Sequence, residues 1–385
     1  MDKELELLNE ILSIPSVNGK DDERKIAEFI CKYLQDNHVK AKVQYIDDRH
    51  ANVLAVIPGK SGKNIIWNGH LDTVPYGDKD EWDSEPAVPV KRDTKIYARG
   101  ASDMKSGLAA MVYLLGELGN SGEKPEKGIY FFGTCDEEKG GIGAKKILES
   151  KQAPNAELLL IGEPTGCRLG VAQKGCLWLE LKVHGVTSHG AYPWEGCNAI
   201  EYGMEAFVRL KEWIEGFGHR VLGNATVQIT MAEGGIASNM TPDCAKIMLD
   251  IRTVPGLDVK MVLKQMEAIC EKLYVESGRR SGFEVNIMNE RRAIEISSEH
   301  DWVKHFSHCI EMENEPAEEI GINYFTDASI LTEGCEEMPV LLFGPGEPHM
   351  AHKPNEYVEI EKYKQYIRLL CRIFDICPQK WKKML

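Results

Sequence analysis

Paired cysteines, long apolar runs and clusters of basic residues are all missing from this sequence, and each absence excludes a class of protein. The eleven cysteines are scattered and include no C-x-x-C pair. Disulfide scaffolds are short chains with regular cysteine spacing, so we expect reduced thiols in the cytoplasm, each a small buried hydrophobe. Cys135, beside an acidic cluster, is the one candidate for oxidation or metal capture.

Membrane and nucleic-acid partners are also excluded by what the sequence lacks. No apolar run approaches about 18 residues, and the acidic N-terminus lacks the apolar region of a secretory signal. The chain has 60 acidic and 46 basic residues, a formal net charge of −14, and no long basic run. We therefore expect neither nucleic acid nor an anionic membrane as a partner.

The length and the apolar pattern predict two domains that differ in how their apolar residues are spaced. At 385 residues the chain exceeds the roughly 250–300 at which a single core stops growing. Short apolar runs alternate with helical stretches through the first part: NVLAVI (52–57), NIIWNG (64–69), GIYFFGT (128–134) and ELLLIG (157–162). This alternation predicts an α/β fold with a mixed, largely parallel sheet covered by helices.

A different pattern of apolar residues begins near residue 175. Leu177, Leu179, Leu181 and Val183 alternate with polar residues, which is typical of a strand with one exposed face. The following segments read β-α-β-β-α-β, the ferredoxin-like order. We therefore predict an inserted ferredoxin-like α+β domain at 174–289, between a first part of the main domain at 1–173 and a second part at 290–385.

Ligand-type side chains follow hydrophobic runs in five segments. These are WNGHLDTVP with His70 and Asp72, RGASDMKSG with Asp103, TCDEEKGG with Asp136, Glu137 and Glu138, GEPTG with Glu163, and AHKPNE with His352. Imidazole and carboxylate ligands suit zinc, and also cobalt or manganese. One ligand from each segment makes five, which is too many for one tetrahedral ion. Five ligands fit two ions that share a carboxylate, an arrangement that recurs in hydrolases. Taken alone, the D-E-E cluster also fits a solvated acidic turn.

These motifs, in this order along nearly the whole chain, resemble the zinc acyl-amino-acid hydrolases and exopeptidases. Members of that family include acetylornithine deacetylase, succinyl-diaminopimelate desuccinylase, aminoacylases and glutamate carboxypeptidase. The resemblance implies a zinc-exopeptidase fold with a lid domain that also forms dimers. It implies that Asp103 bridges two ions, one held also by His70 and Glu163 and the other by Glu138 and His352. It further implies a cis peptide bond between Asp103 and Met104.

The resemblance also implies the catalytic residues. Glu137 is the expected general base, since one of two adjacent glutamates can ligate while the other faces the water. Asp72 is expected to accept the second ring N–H of His70 and fix its tautomer, the alternative being a turn residue. His189 in VHGVTSHGAYP is expected to stabilise the oxyanion, in dimers from the neighbouring subunit, whereas a lone histidine is more often structural.

Arg252 and Asn239 match substrate-binding positions of that family, and Thr326, Gly344 and Gly346 are expected to line the rest of the pocket. Arg252 in LDIRTVPG offers a guanidinium for a free carboxylate, with a salt bridge at a strand edge as the alternative. Asn239 lies in GGIASNMTPD and Thr326 in YFTDAS. Gly344 and Gly346 in FGPGEP are expected to present exposed backbone N–H groups to an acyl or carboxylate oxygen.

The predicted function is metal-dependent removal of an acyl group from a small N-acyl amino acid. Two divalent ions are expected, zinc first and cobalt or manganese as alternatives. The same centre would serve a metallo-dipeptidase or carboxypeptidase acting on a short peptide. A non-catalytic binding protein is a further alternative, and so is a metallophosphatase or nuclease, which the lack of basic clusters disfavours.

Overall fold

A computed structural model describes residues 2–376, and within them the chain packs into two compact units. Unit 1 comprises the segment ending at Val171, Ile296–Ile320 and the segment beginning at Thr326. Unit 2 comprises Ala172–Glu295 and Gly321–Phe325. No helix of the described residues is long and apolar enough to span a membrane.

The described residues form nine α-helices and eighteen strands. The helices are α1 Lys3–Leu12, α2 Arg24–Asp36, α3 Lys105–Ser121, α4 Ile142–Glu149, α5 Ala199–Ile214, α6 Val259–Glu276, α7 Asp301–Glu311, α8 Ala328–Leu331 and α9 Ile360–Phe374. The strands are β1 Lys40–Tyr45, β2 Ala51–Ile57, β3 Asn64–His70, β4 Val90–Arg92, β5 Lys95–Tyr97, β6 Gly128–Thr134, β7 Leu159–Ile161, β8 Leu169–Gln173, β9 Cys176–His184, β10 Gly218–His219, β11 Gly223–Asn224, β12 Thr226–Gly234, β13 Cys244–Arg252, β14 Gly282–Arg291, β15 Ile294–Glu295, β16 Glu319–Ile322, β17 Val340–Leu342 and β18 Tyr357–Glu359.

Unit 1 is built on a mixed sheet that runs in the order β1-β2-β6-β3-β7-β17-β8. The four central strands β6, β3, β7 and β17 are parallel, and β1 and β2 pair antiparallel at one side. β2 and β6 are almost wholly buried, which explains their unbroken apolar sequences. The prediction of a mixed, largely parallel sheet covered by helices is confirmed.

Helix α3 packs unusually close to the end of β7, and small residues permit it. A Cβ atom on Gly107 would lie 2.0 Å from the carbonyl oxygen of Gly162, so a larger side chain has no room there. The contact holds the start of α3 against the segment that carries Glu163. Asp103, two residues before α3, is brought by the same packing to the carboxyl edge of the sheet.

Unit 2 contains the predicted β-α-β-β-α-β order, here β9-α5-β12-β13-α6-β14. Its four strands form an antiparallel sheet in the order β12-β13-β9-β14, the ferredoxin-like arrangement. The alternating side chains Leu177, Leu179, Leu181 and Val183 are buried in its core, as their spacing predicts. Unit 2 runs from Ala172 to Glu295 and includes Gly321–Phe325, whereas the predicted inserted domain spans 174–289.

Candidate metal centre

The candidate ligands of unit 1 gather at one edge of its sheet because parallel strands end there together. His70 is the last residue of β3 and is in register with Thr134, the last residue of β6. Glu137 and Glu138 follow β6 after three and four residues, and Glu163 follows β7 after two. Sites in parallel sheets form beyond the carboxyl ends of the strands, where loop side chains converge.

Asp103 lies between two sets of candidate ligands and turns one carboxylate oxygen to each. Its Oδ1 is 3.1 Å from His70 Nε2, and its Oδ2 is 3.4 Å from His352 Nε2. Glu163 Oε1 lies on the first side, 4.0 Å from His70 Nε2. Glu138 lies on the second side, with Oε2 3.1 Å from His352 Nε2. Each side therefore offers one imidazole, one glutamate and one oxygen of the shared aspartate. The peptide bond between Asp103 and Met104 is cis, as the resemblance implies.

The charges of the cluster fit divalent cations. Burial raises the pKa of Glu163 well above its ordinary value, and the nearby carboxylate of Asp103 raises it further. Burial likewise raises the pKa of Glu137, with Glu163 and Asp327 adding repulsion against the opposing effect of His70. Glu163 Oε2 is buried without a hydrogen-bond partner among the described residues. Bound cations would offset the repulsion between these carboxylates and would coordinate the oxygen of Glu163 that lacks a hydrogen-bond donor.

The contact predicted between Asp72 and the ring of His70 is wrong in its atoms. His70 Nδ1 lies 2.9 Å from the backbone carbonyl oxygen of Asp72, whereas the nearest carboxylate oxygen of Asp72 is 3.8 Å away. The carbonyl therefore accepts the ring N–H and leaves Nε2 to face Asp103. β3 ends at His70, and in the segment that follows it is the backbone carbonyl of Asp72, not its carboxylate, that contacts the imidazole ring.

The carboxylate of Asp72 instead anchors the turn that carries the glutamates. Oδ1 accepts the backbone N–H of Glu137 and Oδ2 that of Glu138, both at 3.1 Å. Asn18 Nδ2 bonds Asp72 Oδ2 at 3.0 Å and Asp136 Oδ1 at 2.9 Å. Asp136, with φ of 60°, accepts the N–H groups of residues 140 and 141 on its carbonyl and so shapes the turn.

Two residues that hydrogen-bond to the turn after β6 were not predicted from the sequence. Asn18 and Glu23 lie near the N-terminus, and Glu23 Oε2 accepts the backbone N–H of Asp136 at 3.0 Å. No motif near residues 18–23 marks them, because their partners lie 54 to 118 residues further along the chain. Asp327, the residue after Thr326, raises the pKa of Glu137 and Glu163 by repulsion, an effect that depends on the folded chain.

The expectation of exposed N–H groups in FGPGEP is wrong for Gly344. Its N–H donates to Thr165 Oγ1 at 3.1 Å, and a Cβ atom there would lie 2.4 Å from the carbonyl oxygen of Gly162. A Cβ atom on Gly346 would lie 2.1 Å from the carbonyl oxygen of Ser102. Both glycines are buried, and they allow the close approach of chain segments. Thr326 is also buried, and its hydroxyl accepts the N–H of Ala328 at the start of α8.

Three predicted residues lie in unit 2. His189 and Asn239 are exposed on neighbouring segments, joined by the bond from the Gly190 N–H to the Asn239 carbonyl at 2.7 Å. His189 Nδ1 accepts the N–H of Ala191 at 3.1 Å, so in the neutral ring Nε2 carries the proton. Arg252 forms two hydrogen bonds with Asp250, the salt bridge foreseen as its alternative role.

Two histidines, a shared aspartate and two glutamates at the carboxyl edge of this sheet define a metallohydrolase site. The chain belongs to peptidase family M20/M25/M40, whose sequence profile matches residues 66–375. It is therefore a metallohydrolase that acts on amide bonds, as the motifs predict. The fold is also similar to that of a Bacillus subtilis protein described as a dinuclear metal-binding peptidase of family M20, with a TM-score of 0.73, 14% identity and coverage of 98% of each chain.

The relatives carry different names. The chain is 26% identical to a probable succinyl-diaminopimelate desuccinylase of Staphylococcus aureus (strain MRSA252), over 95% of each chain. It is 25% identical to an acetylornithine deacetylase of Klebsiella pneumoniae (strain 342), over 96% of each. Its fold is similar to that of a tripeptidase from Staphylococcus aureus subsp. aureus Mu50, with a TM-score of 0.78, 22% identity and coverage of 97% of each chain.

Proposed function

We propose that this protein removes the acyl group from a small N-acyl amino acid, using two divalent metal ions. The observation that carries the proposal is the position of Asp103 between His70 with Glu163 and His352 with Glu138. These five side chains would hold the two ions, with Asp103 shared. The mixture of imidazole and carboxylate favours zinc, with cobalt or manganese as alternatives.

When bound, the ions would polarise the amide carbonyl and lower the pKa of a water molecule at the site. Glu137 accepts the proton of the attacking water and delivers it to the departing amine. Asp72 keeps the Glu137 backbone in place during that transfer. His189 Nε2–H donates to the oxygen on which negative charge develops, and Arg252 exchanges Asp250 for the free carboxylate of the substrate.

The choice of an N-acyl amino acid over a peptide is supported by sequence. The two curated relatives at 25–26% identity, which cover nearly the whole chain, are named a deacetylase and a desuccinylase. The tripeptidase at 22% identity supports the fold alone. A metallo-dipeptidase or carboxypeptidase is therefore the second candidate, since the same proton transfers cleave a peptide bond.

We also propose that the protein is a cytoplasmic homodimer associated through unit 2. Ile200, Met204 and Val208 form an exposed apolar stripe along α5, at the helical spacing of four residues. β12 is an edge strand of the same unit, and edge strands of this length are usually covered. Nine cysteines of the described residues, from Cys31 to Cys335, form no disulfide bond, which supports a reducing compartment.

The function is tested with acetylornithine, acetylmethionine, succinyl-diaminopimelate and dipeptides, each with zinc, cobalt or manganese. Glu137→Gln is the test variant, and Glu149→Gln, at the exposed end of α4, is the control. We expect metal-dependent deacylation that falls by roughly 10²–10⁴-fold in Glu137→Gln and is unchanged in Glu149→Gln.

Other outcomes separate the alternatives. Faster cleavage of dipeptides than of acyl amino acids selects the peptidase. Equal turnover of p-nitrophenyl phosphate selects a metallophosphatase. Metal binding without cleavage of any substrate selects a binding protein, and the proposal then fails.

A further inference from the structure

Glu356, the last residue of the AHKPNE motif, holds the segment that carries Asp103. Its side chain is fully buried. Oε1 accepts the backbone N–H groups of Ser102 at 2.7 Å and of Asp103 at 2.8 Å. Oε2 accepts the N–H of Gly100 at 3.0 Å and Arg99 Nη1 at 2.7 Å. Each oxygen already has two donors, so this carboxylate is not available as a metal ligand.

Arg99 extends the same contact to two other ligand segments. Nη1 also donates to the carbonyl oxygen of Lys353, the residue after His352, at 3.1 Å. Nη2 donates to the carbonyl oxygen of Pro75, five residues after His70, at 3.1 Å. The guanidinium is buried against the ring of Trp82, 5.0 Å from its centroid. The ion pair therefore joins the chain segments of three candidate ligands.

We propose that Glu356 and Arg99 are positioning residues that set the geometry of the bridging Asp103 and of His352. The proposal rests on the proposed metal site. Neither residue contacts a ligand side chain; Glu356 acts through the backbone N–H of Asp103, and Arg99 through the carbonyl beside His352. Outer contacts of this kind orient metal ligands, and their loss typically lowers metal affinity roughly 10–100-fold.

A buried ion pair also stabilises the fold once formed, so a stability effect must be separated from a positioning effect. Glu356→Gln puts an amide N–H against backbone donors and leaves Arg99 without its counter-charge. The double variant Arg99→Met with Glu356→Gln removes that buried charge, and neutral replacements of buried pairs are often well tolerated. Arg99→Lys keeps the charge but loses the fork that reaches Lys353 and Pro75 together.

Glu313→Gln is the matched control. Glu313 accepts Arg368 Nε at 3.2 Å and Arg372 Nη2 at 3.1 Å, so it is another largely buried glutamate of unit 1 bonded to arginine. Its partners lie on α9, and it contacts no ligand segment. Its loss should lower thermal stability without changing the affinity for metal.

The experiment titrates the metal-free full-length proteins with Zn²⁺ alone, in competition with a chelator, and records the melting temperature of each. We expect Glu313→Gln to bind two ions, each with the same affinity as in wild type. Glu356→Gln, Arg99→Lys and the double variant should bind at least one ion roughly 10–100-fold more weakly. The double variant should recover melting temperature relative to Glu356→Gln but not affinity.

Wild-type affinity in the double variant and in Arg99→Lys would overturn the proposal and reduce the pair to a structural contact. If wild type itself binds no Zn²⁺, the proposed function fails first, and this inference fails with it. The affinity of folded protein for the ion is read directly, so the result does not depend on the choice of substrate.

Discussion

Asp72 Oδ1 accepts the backbone N–H of Glu137 at 3.1 Å, and its other oxygen accepts that of Glu138 at the same distance. The proposed general base and a proposed metal ligand therefore share one anchor. The carbonyl of Asp72 at the same time accepts the ring N–H of His70. Asp72 thus links the end of β3 with the turn after β6. It also connects the proposed base Glu137 with the candidate ligands His70 and Glu138.

Asp72→Asn should lower kcat roughly 10–100-fold, because its amide N–H would face one of the two backbone donors. Steady-state kinetics with the best acyl substrate measure the effect. Asp47→Asn is the control, since exposed Asp47 also accepts two backbone N–H groups, those of Arg49 and His50, both on Oδ1 and away from the candidate ligands. Equal kcat in Asp72→Asn, Asp47→Asn and wild type would show that the anchor is dispensable.

His352→Ala should bind one metal ion fewer than wild type at equal free metal, because it removes the imidazole that lies beside Glu138. Its activity should fall by more than the roughly 10–100-fold typical of outer contacts. His349→Ala is the matched control: His349 is exposed, and its Nδ1 lies 3.7 Å from Glu347 rather than near Asp103. Metal content is measured by elemental analysis after dialysis, and two ions retained in His352→Ala would contradict the assignment.

Cys135 should resist alkylation in the native protein, contrary to the expectation that it is a reactive thiol. Its side chain is buried, and burial raises the pKa of the thiol far above its ordinary value. Cys244 and Cys335 are exposed and should react first with iodoacetamide. Peptide mapping by mass spectrometry distinguishes the sites, and early labelling of Cys135 would refute the burial.

Val208→Glu should convert the proposed dimer into a monomer, because it puts a charge in the apolar stripe of α5. Light scattering after size exclusion measures the mass. Met261→Glu, on the exposed face of α6, is the control and should leave the mass unchanged. A monomeric wild type with full activity would remove both the dimer and the role of His189 across subunits.

Element succession was largely predictable because buried parallel strands and amphipathic helices have different local patterns. NIIWNG at 64–69 predicted β3, which the structure extends by one residue to His70. GIYFFGT at 128–134 predicted β6, observed as Gly128–Thr134. Gly344 was misjudged, because a glycine-rich turn looks the same in sequence whether it presents N–H groups to a ligand or lets two chain segments approach.

The types and order of the candidate ligands, the succession of strands and helices, and the family follow from the sequence alone. Those properties depend on local periodicity and on side-chain chemistry. Which atoms meet depends on the tertiary structure: the two oxygens of Asp103 with His70 and His352, the anchoring of Glu137 by Asp72, and the four donors on Glu356. These partners are 65 residues apart for Asp72 and Glu137 and 254 apart for Ser102 and Glu356. A hydrogen bond depends on distance and direction in space, and no local pattern along the chain specifies either across such separations.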